Sequence, residues 1–211
     1  YMALSKIQPA SIDLTANYAF TGTNSITSAS SGTYEEKKLV TLTASSSSTL
    51  SFTSSINSTY NIYKFRFVNI HGSNDGDAFD FNGSADTGSN YNIAKTTTVF
   101  QAEHTESDST GLAYQTGHDF HDETTNFQTI AQNTGNANDE NVAGELFLFD
   151  PSSTTFAKHF LCRTVHNTNH DRCREWWVAG YFNSTSAIDA IQFKMENGNI
   201  DSGTIEMYGI N

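Results

Sequence analysis

Residues 188–211 read IDAIQFKMENGNIDSGTIEMYGIN, in which apolar and polar side chains alternate. A period of two sends successive side chains to opposite faces of a strand, so the stretch is predicted to be β-structure with one face buried. A chain that ends inside its own sheet is expected to be a compact all-β module. The same period recurs over residues 60–70, where Tyr63, Phe65 and Phe67 take one face and Ile62, Lys64, Arg66 and Val68 the other. Further strands are predicted over residues 39–43, 50–52, 78–82, 96–102, 127–131, 144–149, 156–165 and 175–182. Between them lie clusters such as HGSNDGD, NGSADTGSN and NTGNANDEN, whose residues supply turn geometry and tolerate positive φ. Only residues 109–118 and 123–132 offer a short helical turn. Many short strands without a helical pattern predict a two-sheet β-sandwich of jelly-roll type, each sheet burying one face against the other.

A chain of 211 residues is long enough for one well-filled core, which is assigned to residues 34–211. Residues 1–33 are Ser/Thr/Ala/Asn-rich and are read as an extended N-terminal arm for attachment, with Ile7, Ile12, Leu14, Tyr18 and Phe20 as spaced apolar anchors. The net charge is -12 and no Lys/Arg cluster offsets it, which disfavours nucleic acid and anionic membrane surfaces as partners. No apolar run approaches the roughly 20 residues that span a bilayer, and YMALSKIQPA lacks the apolar centre of a signal peptide. Synthesis inside a cell without membrane insertion is therefore expected.

Candidate chemistry is sparse. If Asn167 and Thr168 formed a two-residue turn, Cys162 and Cys173 would face each other across a hairpin. That register gives the wider cross-strand spacing, and a reducing cell opposes oxidation, so the alternatives are free thiols and a disulfide formed after release. Cys162, His166, His170 and Cys173 are zinc-type donors, but their spacing is unusual and strand alternation aims them in conflicting directions. Asp75, Asp77 and Asp80 are oxygen donors for calcium in a turn-rich segment that lacks EF-hand spacing. His118, Asp119, His121, Asp122 and Glu123 form the densest titratable cluster, with no nucleophile motif beside it. No catalytic residue and no cofactor are assigned. Trp176, Trp177 and Tyr181 are the binding candidates: adjacent strand residues point to opposite faces, so one tryptophan is expected in the core and the other outward, for an interface or a ligand.

The segments YNIYKFRFVNIH, AGELFLFDPSSTTFAKHF and VAGYFNSTSAIDAIQFKMENGNIDSGTIEMYGI, with the opening MALSKIQPASIDLTANYAFTGT, resemble virion structural proteins of marine tailed bacteriophages. The likeness is to cyanophage-type β-sandwich domains of tail fibres or capsid surfaces, which often end in a G-T-I-x-x-Y-G-I string, here Gly203, Thr204, Ile205, Tyr208, Gly209 and Ile210. The resemblance implies a non-enzymatic protein on the virion surface, either a capsid decoration or a short tail-fibre module. It implies other virion proteins as partners and a homo-oligomer, threefold as in many virion appendages, whose interface buries exposed aromatics. A receptor-recognition module that binds host surface glycan is the alternative expectation, and a polysaccharide depolymerase using His118, Asp122 or Glu123 is the least favoured.

Overall fold

In the computed structural model, which describes residues 35–122 and 126–211, every paired strand is antiparallel. The expected arm, with Ile7, Ile12, Leu14, Tyr18 and Phe20, lies outside the described residues, as does Glu123. One ladder runs β1 (Glu36–Thr43), β12 (Ile200–Ile210), β3 (Ile62–Gly72), β8 (Val142–Phe149), β9 (Lys158–Thr168), β10 (Arg172–Phe182), β5 (Lys95–Thr105) and β6 (Thr110–Tyr114). A shorter one runs β7 (Gln128–Thr134), β4 (Asp77–Ser84), β11 (Ala190–Met195) and β2 (Leu50–Phe52). The ladders are joined by backbone pairing at Thr134 and Thr168, and a bridge links Ser47 to Ile200. The described residues are all-β, as the period-two segments predict.

The core forms where inward positions of the two ladders meet. Phe65 and Phe67 on β3 pack against Phe52, Phe79 and Phe193 from the shorter ladder, and Phe81 meets Phe160 and Phe182. Most of these contacts are edge-to-face, the arrangement that ring quadrupoles favour.

Within the first segment offered for a helical turn, residues 110–114 are strand and pair with β5, placing Tyr114 beside Phe100 and Leu112 beside Ala102, while a single turn follows in which the His118 and Asp119 N–H groups donate to Gln115 O. Residues 128–134 form β7, in line with the strand expected over 127–131. In β6 the pattern was hidden because its largest apolar residue, Leu112, is 78% exposed, so backbone pairing rather than a buried face holds the strand.

Strand β7 meets β9 through the backbone only at Thr134, and side chains satisfy its other carbonyls at this seam. Trp176 Nε1 donates to Thr129 O, Thr164 Oγ1 to Ile130 O, and both His166 Nε2 and Arg174 Nη1 to Gln132 O. Buried carbonyls need partners, and indole, hydroxyl, imidazole and guanidinium replace a missing ladder. Burial, against a weaker opposing effect of the bond to Gln132, lowers the His166 pKa to about 4, while Arg174 also disfavours a second positive charge. The folded pKa lies below the unfolded one, so this contribution is complete above about pH 6.5 and is lost as pH falls toward 4. The loss is expected to reach about 3 kcal/mol. Urea unfolding near pH 7 and near pH 4.5 measures it, and His166→Gln should flatten that acid-side loss; an equally steep loss in the variant would refute the assignment.

The terminal string is explained by packing. Gly203 has φ +112, and a Cβ there would stand 2.4 Å from Asn69 O, at a register shift between β12 and β3. A Cβ on Gly209 would stand 2.4 Å from the Tyr60 ring, while Ile205 and Ile210 are buried. The motif is a device for seating β12.

Candidate interaction face

The face of the long ladder opposite the aromatic core carries a row of side chains set by strand register. Tyr114 neighbours Phe100, Phe100 neighbours Trp177, Trp177 neighbours Arg163, and the row continues through Glu145, Arg66 and Glu206. Phe100 and Trp177 stack with centroids 5.6 Å apart and planes 8° from parallel. The Arg163 guanidinium lies 4.5 Å from the centre of the Trp177 ring and also pairs with Glu175. The Trp177 ring is thus held by neighbours on two adjacent strands, which limits the entropy it would lose in a contact. Leu161 and Val165 on β9 are about half exposed, and Phe147 and Phe149 stack on β8.

Charge on this face is balanced. Lys38, Lys64, Arg66 and Arg163 are matched in number by Glu36, Glu145, Glu175 and Glu206. Ion pairs join Glu36 to Lys64, Glu206 to both Lys38 and Arg66, and Glu175 to Arg163. Arg66 and Tyr208 both bond Glu206, with Lys38 adding to them, and together they hold its carboxyl down at about 2. In a chain of net charge -12, these eight side chains sum to zero.

The structure separates the predicted binding residues. Trp176 is fully buried, with its indole in the seam and the His118 ring edge-on to it, whereas Trp177 is outward. Tyr181 shares the outward face and lies beside His159. Phe100, Tyr114, Leu161 and Arg163 complete the face without having been singled out from sequence. The available signal was apolar character at both parities, in ELFLF over residues 145–149 and in Phe160, Leu161, Cys162 and Val165.

The cysteine geometry is corrected by register. The hairpin turns after Thr168, which pairs with Arg172, so Cys173 faces Asn167 and Cys162 faces Val178. Both are free thiols, Cys162 buried and Cys173 exposed, and burial raises the Cys162 pKa well above its usual value. Of the two alternatives, this register fits free thiols, because Cys162 and Cys173 do not face each other across the hairpin. Among the described residues no group of three or more His, Cys, Asp or Glu side chains is placed to hold a metal ion. Of the calcium candidates, Asp75 is exposed, the Asp77 carboxylate accepts from the backbone N–H groups of Ala78 and Asn197, and Asp80 is buried on β4. The titratable cluster is also dispersed into local bonds: Asp119 accepts from Tyr114, and Asp122 from Asn183. His118 is half-buried, with its pKa lowered chiefly by desolvation.

Comparison with protein-family models, with curated proteins and with solved structures yields no match.

Proposed function

We propose that this chain is a non-enzymatic virion structural protein of a tailed bacteriophage, displayed on the particle as a capsid decoration or short tail-fibre module and self-associating through the outward face of its long ladder. We infer a jelly roll within the all-β class, because β12 lies between β1 and β3 while β11 lies between β2 and β4. The last two strands thus fill matching gaps in the two ladders, as a wound pair of strands does.

The carrying observation is the charge-balanced aromatic face on an acidic chain. Two copies repel wherever their surfaces are acidic, and this face removes that cost while offering Trp177, Phe100 and Leu161 for burial. Another copy is the occupant that this balance fits, since a strongly basic partner would gain nothing from it. Continuous apolar runs such as ELFLF also suit a strand covered on both faces.

Sedimentation at rising concentration is expected to give a homo-oligomer, and Trp177→Ala to weaken association by at least tenfold with the thermal midpoint little changed. A wild-type chain that stays monomeric throughout would overturn self-association. Immunogold labelling of intact particles tests the virion assignment: label on the head indicates a decoration, label at the tail a fibre module, and unlabelled particles remove it.

A further inference from the structure

A second site lies on the other side of the molecule. Along β4 both faces are buried: Phe79 and Phe81 point into the core, whereas Ala78, Asp80 and Asn82 point away from it and are still covered. Beside them is a cleft of about 460 Å³, within the roughly 300–1,000 Å³ usual for small-ligand sites. Its lining includes Asp80, His118, Phe127, Gln132, Lys194 and Glu196.

Asp80 is 5% exposed, and its Oδ1 has no hydrogen-bond partner. A buried carboxylate oxygen left without a donor is costly, and such groups are kept where a ligand or a water completes them. Lys194 is the cross-strand neighbour of Asp80, and its ammonium lies 4.8 Å from the centre of the Phe127 ring. The cleft thus combines carboxylate acceptors at Asp80 and Glu196, donors at Lys194 and the Gln132 amide, and an aromatic wall. A free amine would meet the Lys194 cation and an anion would meet two carboxylates, so a neutral molecule with several hydroxyls matches the set best.

We propose that this cleft binds a neutral sugar, with Asp80 Oδ1 accepting a sugar hydroxyl and Lys194 and Gln132 donating to others. The site is separate from the Trp177 face and does not depend on self-association. Desolvation raises the Asp80 pKa to about 7, opposed by Thr129 and Lys194 and assisted by Glu196 and Asp77. A hydroxyl donated to Oδ1 favours the charged form, so a bound sugar should lower that value.

The test is saturation-transfer NMR of the full chain with glucose, galactose, mannose, N-acetylglucosamine and rhamnose, each offered singly at a pH above 7. At least one sugar is expected to receive saturation, with affinity reduced tenfold or more by Asp80→Ala and unchanged by Trp177→Ala. Because Asp80→Ala removes a buried carboxylate of which one oxygen is unpartnered, its thermal midpoint should be little changed, so loss of binding will not reflect unfolding. Should that variant unfold, Lys194→Met serves in its place with the same expectation. Failure of all five sugars to receive saturation, or binding that survives both variants, overturns the proposal and leaves Asp80 Oδ1 to water.

Discussion

Phe193→Ala is expected to destabilise the fold by about 3–5 kcal/mol, the upper range for truncating a buried aromatic residue. The ring is fully buried and touches five others, those of Phe52, Phe65, Phe67, Phe79 and Phe81, at centroid distances from 5.3 to 6.2 Å. Those rings come from β2, β3 and β4, and β11 is itself paired on both sides by β2 and β4. The backbone around residue 193 therefore has little freedom to collapse into the space, and most of the cavity should persist. Urea unfolding measures the cost, with Leu112→Ala, at a residue 78% exposed, as the near-neutral control. A cost below about 1 kcal/mol would mean that the aromatic cluster repacks freely and does not set the spacing of the ladders.

Glu103→Ala should cost a similar amount for an electrostatic reason. Arg174 is 5% exposed, its Nη2 lies 2.8 Å from Glu103 Oε2, and its Nη1 donates to Gln132 in the seam. Removing Glu103 leaves a buried guanidinium without its counter-charge, typically a loss of about 3–5 kcal/mol. Arg172, less buried, also bonds Glu103 and can turn toward water. Adding Arg174→Met should recover most of the loss, because a packed apolar pair avoids the desolvation of both ions. A double variant as unstable as Glu103→Ala alone would show that the Arg174 bond to Gln132 O, rather than the ion pair, carries the effect. Arg174 chiefly holds the Glu103 carboxyl below its usual value. Its contribution is therefore present above the unfolded carboxyl pKa and is lost as pH falls through the folded one.

The strands of this fold were legible wherever a buried face alternated with a solvated one. β3 showed Tyr63, Phe65 and Phe67 on one parity, and all three are buried. β6 was not legible, because its neighbour supplies hydrogen bonds and its own side chains bury little. The divided roles of Trp176 and Trp177 followed from strand parity, but the partners that hold Trp177 did not. Phe100 and Arg163 reach it from β5 and β9, and that adjacency depends on strand order and register. The Asp80 cleft was hidden for the same reason: residues 78–82 read as a strand, but what covers the Asp80 face depends on the pairing of β4 with β7 and β11.

The placement of β12 governs the order in which the molecule can be completed. It fills the gap between β1 and β3, and side-chain bonds across those pairings join residues 168 and 140 positions apart in the chain. Contacts of such range are slow to form, because the loop must close before the contact repays its entropy. Until residues 200–210 are synthesised, β1 and β3 each keep an open edge where β12 will lie. The row that ends at Glu206 is likewise unfinished. A nascent chain therefore lacks the completed charge-balanced surface until β12 has paired, and under the proposed self-association incomplete chains would not be recognised by their neighbours.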